Sequence, residues 1–415
     1  MGEMTVVVGA GLAGLACARE LARLGRPFVV LEAEGEPGGR VRSEKRDGFI
    51  LDRGFQVVLS SYDAVDALVD REALCPRYFE SGALLWHEGT FCHLANPLRH
   101  PVLLPQTLLA FPPGDSLRIS ALVAEVLVRQ DADLLAGCGR PGDQSTRAFL
   151  EERGFGQSFL RRFAVPFFGG VLLDADLETS AALFRYYLKK FATGRAWLPA
   201  CGIGRLPAEV ARPLGEGAIR YGARVAALEV SEGRLDAVVL EGGGRIPCCA
   251  AVLALDAPSL ARLTGRPMGR PGRSVSVAYF RTRESLYPSR CLVLPSAHPS
   301  RRIHHFCQVS NISRELAPDG WHLVSATVLG DAPASVDGLR DEVAAVFPGA
   351  RSMEHIATLE VPFALPSQPA GFAAGPAVPP PACNVFFAGD ALGASIQNAL
   401  ETGREAARRA VAGKA

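Results

Sequence analysis

Apolar and polar positions change their spacing several times along this 415-residue chain, and each change marks a segment. Residues 5–8 form a β-branched run that stops at Gly9. Leu15, Ala18, Leu21, Ala22 and Leu24 then recur at helical spacing, and the apolar run 28–31 closes on Glu32. The pattern predicts strand, helix, strand. From about residue 86 to 191 the spacing is helical, with segments at 116–130, 146–153, 158–163 and 179–191. Strand and turn chemistry returns at 221–230, 235–240 and 251–255, which read as strands added to the first unit. Alternating runs at 274–280, 291–294, 303–310 and 322–329 predict an antiparallel sheet, followed by a helix over 336–347. The stretch 362–381, rich in Pro, Ala and Gly, reads as a long connection before a closing strand at 385–388.

The opening unit carries chemistry as well as pattern. Gly9, Gly11 and Gly14 form GxGxxG between the first strand and its helix, with Glu32 at the end of the second strand, 18 residues beyond Gly14. Gly9 permits the tight turn, Gly11 lets backbone N–H groups approach a pyrophosphate, and Gly14 allows close packing of helix on strand. Glu32 stands where a carboxylate accepts hydrogen bonds from both ribose hydroxyls. A nucleotide-binding unit is expected, interrupted by insertions and resumed later in the chain.

Composition narrows the partners. Lys plus Arg number 44 and Asp plus Glu 43, so no global field draws the chain to nucleic acid or acidic lipid. A length of 415 residues allows two or three domains, and 48% hydrophobic against 21% charged residues describes a globular chain. The ten cysteines include no CxxC pair, so reduced and mostly buried thiols are expected, with no metal site. The first strand begins within four residues of Met1, with no basic or apolar leader, which predicts a cytoplasmic protein. The apolar run 96–113 is broken by prolines and too short to span a bilayer. It reads as a lid or channel wall: no stable membrane insertion is expected, and peripheral association stays open.

Three further motifs carry a resemblance. They are residues 36–43 (Glu-Pro-Gly-Gly-Arg-Val-Arg-Ser), residues 49–56 (Phe-Ile-Leu-Asp-Arg-Gly-Phe-Gln), and a C-terminal Gly389-Asp390 followed by the segment 395–407. With the fingerprint, and in this order, they resemble the flavoprotein superfamily of monoamine oxidase, protoporphyrinogen oxidase and phytoene desaturase, over essentially the whole chain. The resemblance implies an α/β fold: a discontinuous, Rossmann-like FAD-binding domain (1–85, 196–265 and 380–415) and a mixed α+β substrate domain (86–195 and 266–379) with an antiparallel sheet and a helical insertion. It also implies noncovalent FAD, because Cys383 does not match the flavin-linked cysteine of the amine-oxidase branch.

The implied cofactor contacts are Gly9, Gly11, Leu12, Ala13 and Gly14, then Glu32, Ala33, Gly39 and Arg40, the last beside the pyrophosphate. Gly54, Phe55 and Gln56 would lie along the isoalloxazine, and Val225 would bond the adenine through its backbone. Asp390 after Gly389 would reach a ribityl hydroxyl, while Ser395, Ile396, Gln397 and Ala399 open a helix aimed at the flavin. Ala399, Gly403, Ala406 and Ala410 make a small-residue stripe for close packing of that helix.

The chain also departs from the amine oxidases, which generally carry a lysine water-bridged to flavin N5 and an aromatic pair beside the ring. Residues 191–413 contain no lysine, and no aromatic residue follows Asp390. The expectation is therefore an FAD-dependent oxidoreductase that takes a hydride from an organic small molecule to flavin N5, closer to a dehydrogenase or desaturase than to a simple monoamine oxidase. An amine or amino-acid oxidase using O2 and a noncatalytic binding protein on the same fold are the alternatives. His304 and His305 alternate on a predicted strand, so one faces the cavity. Gln56, His305 and Tyr279 are the catalytic candidates, with Trp197 and His355 behind them. Substrate identity and oligomeric state are not written in these motifs.

Overall fold

The computed structural model describes residues 4–413 except 97–98, 268–270, 299, 331–333, 373–377 and 390–394. Asp390 lies outside the described residues. The chain opens with β1 (Thr5–Val8), α1 (Leu12–Arg23) and β2 (Phe28–Leu31). The hairpin β3 (Gly82–His87) and β4 (Thr90–Ala95) follows, then a helical stretch that includes α2 (Pro113–Leu127) and α3 (Ala181–Thr193). Next come β5 (Ile219–Arg220), β6 (Ala250–Leu253), β7 (Gly272–Thr282), β8 (Leu292–Pro295), β9 (Ile303–Cys307) and β10 (His322–Leu329). Helix α4 (Val336–Val346), β11 (Glu354–Pro366), β12 (Val385–Phe387) and α5 (Ile396–Ala412) complete the order.

β5, β2, β1, β6 and β12 form a five-stranded sheet in that order, parallel throughout. A parallel sheet needs cover on both faces, and β1 and β6 are buried at every position. One face packs under α1 and α5. The strand Val225–Ser231 belongs instead to a small antiparallel sheet with Arg234–Leu240 and Arg245–Pro247, so only some of the strands expected to extend the first unit join it.

The second sheet has seven strands in the order β11, β7, β10, β9, β8, β3, β4. Two expectations need correction. The sheet is not wholly antiparallel, because β3 pairs with β8 in parallel. The segment 362–381 is not all connection: β11 continues through Pro366 because its later residues keep pairing with the start of β7, as Pro366 does with Gly272. A boundary at residue 85 would also fall inside β3, which pairs along its length with β4 and β8.

Small residues bring α1 and α5 into backbone contact. A Cβ on Gly14 would lie 1.9 Å from the Gly9 carbonyl oxygen, and one on Gly403 would lie 2.0 Å from the Ala13 carbonyl oxygen. The buried carboxylate of Glu20 clasps the two helices, accepting from Arg23 and from Arg408 at 2.8 Å each. These partners, Arg23 first, hold its pKa down at about 2 against the penalty of burial.

This contact makes a prediction. Gly403→Ala pushes a methyl group into backbone and should lower stability by about 1–3 kcal/mol in urea unfolding. Gly242→Ala, where the added Cβ meets no atom within 4 Å, should leave the midpoint unchanged.

Candidate cofactor and substrate cleft

One continuous cleft of about 1410 Å³ runs from the N-terminus of α1 to the helical insertion. Gly9, at φ +99°, makes the turn off β1 where an added Cβ would lie 2.6 Å from the Ala254 carbonyl. Gly11 caps α1 without a side-chain acceptor, and a Cβ there would meet no atom within 4 Å. The first-turn N–H groups of α1 are thus left for an anion, with Leu12 and Ala13 on the wall of the cleft and Gly14 packed beneath.

The buried Glu32 carboxylate lies beside this turn. Its Oε2 accepts from the Ala10 N–H at 2.6 Å and its Oε1 from the Glu34 N–H at 2.9 Å. A carboxylate offers about four lone-pair sites, so acceptor capacity remains for a diol. Ala33, Gly39 and Arg40 continue the same wall. Arg40 donates to the Ala364 carbonyl at 2.8 Å, which ties the loop to β11.

Gly54, Phe55 and Gln56 also line the cleft. Gln56 donates from Nε2 to the carbonyls of Arg40 at 2.9 Å and Arg53 at 2.7 Å, so its amide nitrogen organises two loops. Val225 lines the opposite stretch, beside Ala223 and Glu241. Gly389 is on the wall, and its N–H donates to Thr402 at 2.9 Å. Ser395 caps α5 by accepting from the Asn398 N–H, and it lines the cleft with Ile396 and Ala399. Two helix N-termini, those of α1 and α5, therefore face one cleft.

Four candidate site residues lie elsewhere. The Gln397 side chain turns inward, accepting from the Ala64 N–H at 3.0 Å and donating to Glu401 at 2.6 Å, because it falls on the buried face of α5. The Tyr279 hydroxyl is buried and donates to the Asp52 carbonyl at 2.7 Å, so Tyr279 supports the 52–56 loop from behind. Burial pushes its pKa well up, so the hydroxyl stays protonated and engaged with Asp52, away from the cleft lining. Trp197 is fully buried in the core beneath the parallel sheet, and His355 bonds Thr358 on β11; neither lines the cleft.

His305 behaves differently. It lines the cleft from β9, edge-on to Phe55 with ring centroids 4.9 Å apart, and is 5% exposed. Neither of its ring nitrogens has a hydrogen-bond partner within the protein. Its cross-strand neighbour Thr327 also lines the cleft, and the Thr327 hydroxyl is buried without a partner. Each orphaned polar atom costs roughly 1–3 kcal/mol, so three at one spot mark where a ligand or water completes the site. Burial, with His304 adding to it, lowers the His305 pKa to about 3, so the ring is neutral near pH 7. His304 instead bonds the Val165 carbonyl at 2.9 Å. Only His305 of the pair lines the cleft, as expected, but strict alternation does not hold: β9 shifts register between Ile303 and His305, and both rings pack against Gly170.

Other cleft residues escaped the motif reading. Tyr187 on α3 lines the cleft, and its hydroxyl reaches Ser395 at the cap of α5. The segment Leu160–Gly169 is a π-helix that brings Phe163, Phe167 and Phe168 to the wall. Gly169 and Gly170 admit the two histidines, whose rings lie 3.0–3.1 Å from where Cβ atoms would stand. Phe167-Phe168-Gly169-Gly170 is the one sequence signal for this wall, and its meaning depends on β9 packing against it. The expectation of mostly buried cysteines needs correction: Cys17, Cys248, Cys291 and Cys307 are buried, Cys92, Cys138 and Cys249 are partly exposed, and Cys75, Cys201 and Cys383 are exposed. None of the described residues lining the cleft is a cysteine or a lysine.

Comparison with known proteins agrees with this geometry. The family described as flavin containing amine oxidoreductase matches residues 12–411. A phytoene dehydrogenase of Streptomyces griseus is 31% identical over 302 residues, 65% of this chain and 57% of that enzyme. The matched part of this chain thus spans little more than half the length of that relative. An oxidoreductase from Methanosarcina mazei superposes with a TM-score of 0.71 at 20% identity, covering 97% of this chain and 99% of the other. A putrescine oxidase solved with putrescine gives a TM-score of 0.71 at 16% identity, covering 99% of each chain. At these identities the two structures speak for the fold alone. The chain belongs to the family of flavin-containing amine oxidoreductases.

Proposed function

We propose that the chain binds FAD noncovalently along the cleft and oxidises an apolar organic small molecule, in the manner of a dehydrogenase or desaturase. The N-terminus of α1 and Arg40 would hold the pyrophosphate, Glu32 the ribose, and Val225 the adenine. Bound FAD supplies a two-electron acceptor. In this reading the nucleotide part comprises 1–85, 196–265 and 380–415, less β3, and the substrate part comprises the remainder.

The observation that carries the reading is the aromatic wall facing His305 and Thr327. Phe55, Phe163, Phe167 and Phe168 supply a dry surface, and the neutral imidazole and hydroxyl supply the polar groups that orient a substrate. Removal of hydride from carbon needs proximity and orientation more than a base, which suits a wall whose one histidine among the described lining residues stays uncharged. The absence of cysteine from the described lining supports a cofactor held without a thioether link.

A second reading concerns how an apolar substrate arrives. Leu104 and Leu108 line the cleft while remaining 38% and 41% exposed, and Val102 and Leu109 beside them are 88% and 83% exposed. Such a patch at an entrance suits peripheral contact with a lipid surface. No helix among the described residues is long and apolar enough to cross a membrane.

Three outcomes are expected. The purified protein should show flavin absorbance that leaves the pellet after acid precipitation, and after anaerobic reduction it should reoxidise slowly in air; rapid reoxidation would move the assignment to an oxidase. His305→Phe should lower kcat/KM about ten- to hundredfold, the cost of one or two buried hydrogen bonds. The parent pH profile should show no ionisation from His305 between pH 5 and 8. Because its pKa is about 3 folded against 6.5 in the open chain, acidification across that window should destabilise the parent, and the variant should lose that component. Leu108→Asp with Leu109→Asp should abolish co-sedimentation with phosphatidylcholine vesicles, and equal pelleting of parent and variant would remove the membrane reading.

A further inference from the structure

Glu80, His93 and Cys291 meet at the end of the seven-stranded sheet, each with one ligand atom within 4.8 Å of the others. The topology explains the meeting. Leu292 pairs with Ala83, so Cys291 stands beside Gly82 at the start of β3, and His93 pairs with Leu84 on the other side of the same strand. Cys291, Gly82, Leu84 and His93 thus share one face, and Gly82 has no side chain to separate the thiol from the imidazole. Glu80 enters from the turn just before β3, where the Gly82 N–H donates to the Glu80 carbonyl at 2.8 Å.

The distances suit a metal. The Cys291 Sγ lies 3.5 Å from the His93 Nε2 and 3.4 Å from the Glu80 Oε2. With Zn–S near 2.3 Å and Zn–N or Zn–O near 2.0 Å, tetrahedral geometry places sulfur about 3.5 Å from each partner. The other carboxylate oxygen of Glu80 is held by the Arg290 N–H at 3.3 Å, with the Arg290 guanidinium 3.9 Å away, which leaves Oε2 on the thiol. One thiol, one imidazole and one carboxylate oxygen form a borderline donor set that favours Zn²⁺ over Mg²⁺ or Ca²⁺.

We propose that Glu80, His93 and Cys291 bind one Zn²⁺ per chain, with a fourth position open to water. On binding, the thiol proton passes to solvent as the sulfur–zinc bond forms, and no electrons move. The ion would join the turn before β3, the strand β4 and the entry to β8. Glu80 also lines the cleft, so the clasp would stiffen that wall. The site stands apart from the FAD reading, since none of its three residues belongs to the expected cofactor contacts.

Equilibrium dialysis of the full chain against Zn²⁺, followed by metal analysis, tests this. One bound Zn²⁺ per chain is expected, with affinity reduced about a hundredfold in Cys291→Ser and His93→Ala, and Co²⁺ in its place should give a thiolate charge-transfer band. The half-buried His93 keeps the test valid should Cys291→Ser fold poorly. Cys75→Ser with Cys201→Ser, at exposed thiols, should leave binding unchanged. No bound Zn²⁺ in the parent, undiminished affinity in His93→Ala, or loss of binding in the exposed-thiol variant would each overturn the site.

Discussion

The backbone contact between α1 and α5 is the constraint on which the cleft depends. Gly403 against the Ala13 carbonyl leaves no space for even a methyl group on α5, so that helix meets α1 as bare backbone. That contact sets both N-termini on the same opening, although the helices lie nearly four hundred residues apart in the chain. The Glu20 carboxylate then binds guanidinium groups from both helices and resists their separation. Two positive helix ends converging on one cleft describe a site for an extended, twice-anchored, electron-rich ligand.

The rest of the cleft is built by economy of hydrogen bonds. Gln56 uses its amide nitrogen on the carbonyls of two loops, Tyr279 braces one of those loops from behind, and Arg40 secures the other to β11. These groups hold the wall and are already partnered by the protein. His305 and Thr327 differ from them: both ring nitrogens and the hydroxyl are buried, side by side, with no partner within the protein.

The helical insertion supplies a surface of another character. Its π-helical turn carries three phenylalanines to the cleft, and the glycine pair that follows lets both histidines approach its backbone. The cleft lining thus combines polar groups from β9 and β10 with aromatic surface from the insertion. On the same sheet, a strand without a side chain at Gly82 lets residues from three segments converge. Both effects come from glycine acting as an absence rather than as a flexible joint.

What was legible in the chain was local. GxGxxG between a β-branched run and a helix, the acid closing the second strand, and the small-residue stripe of α5 each act within a few turns, so spacing alone reports them. That one histidine of the 304–305 pair faces the cleft was legible, but its setting was not, because β9 shifts register between Ile303 and His305 and both rings reach the Gly169–Gly170 backbone. Gln397 sat within a motif, yet its helical position turned its side chain into the core. Tyr279, by its burial under the loop at Asp52, became a support rather than a reactive group. The length of β11 was hidden because proline and alanine signal a connection until a partner strand takes up their backbone groups. Nor does any spacing place His93 beside Cys291, 198 residues apart. The sequence by itself determined the opening strand–turn–helix–strand unit with its glycines and closing acid, because those depend on backbone period and on the want of a side chain. Only the tertiary structure decided which polar groups stay unpartnered and which meet across strands, because partners are set by register and packing between segments far apart in the chain.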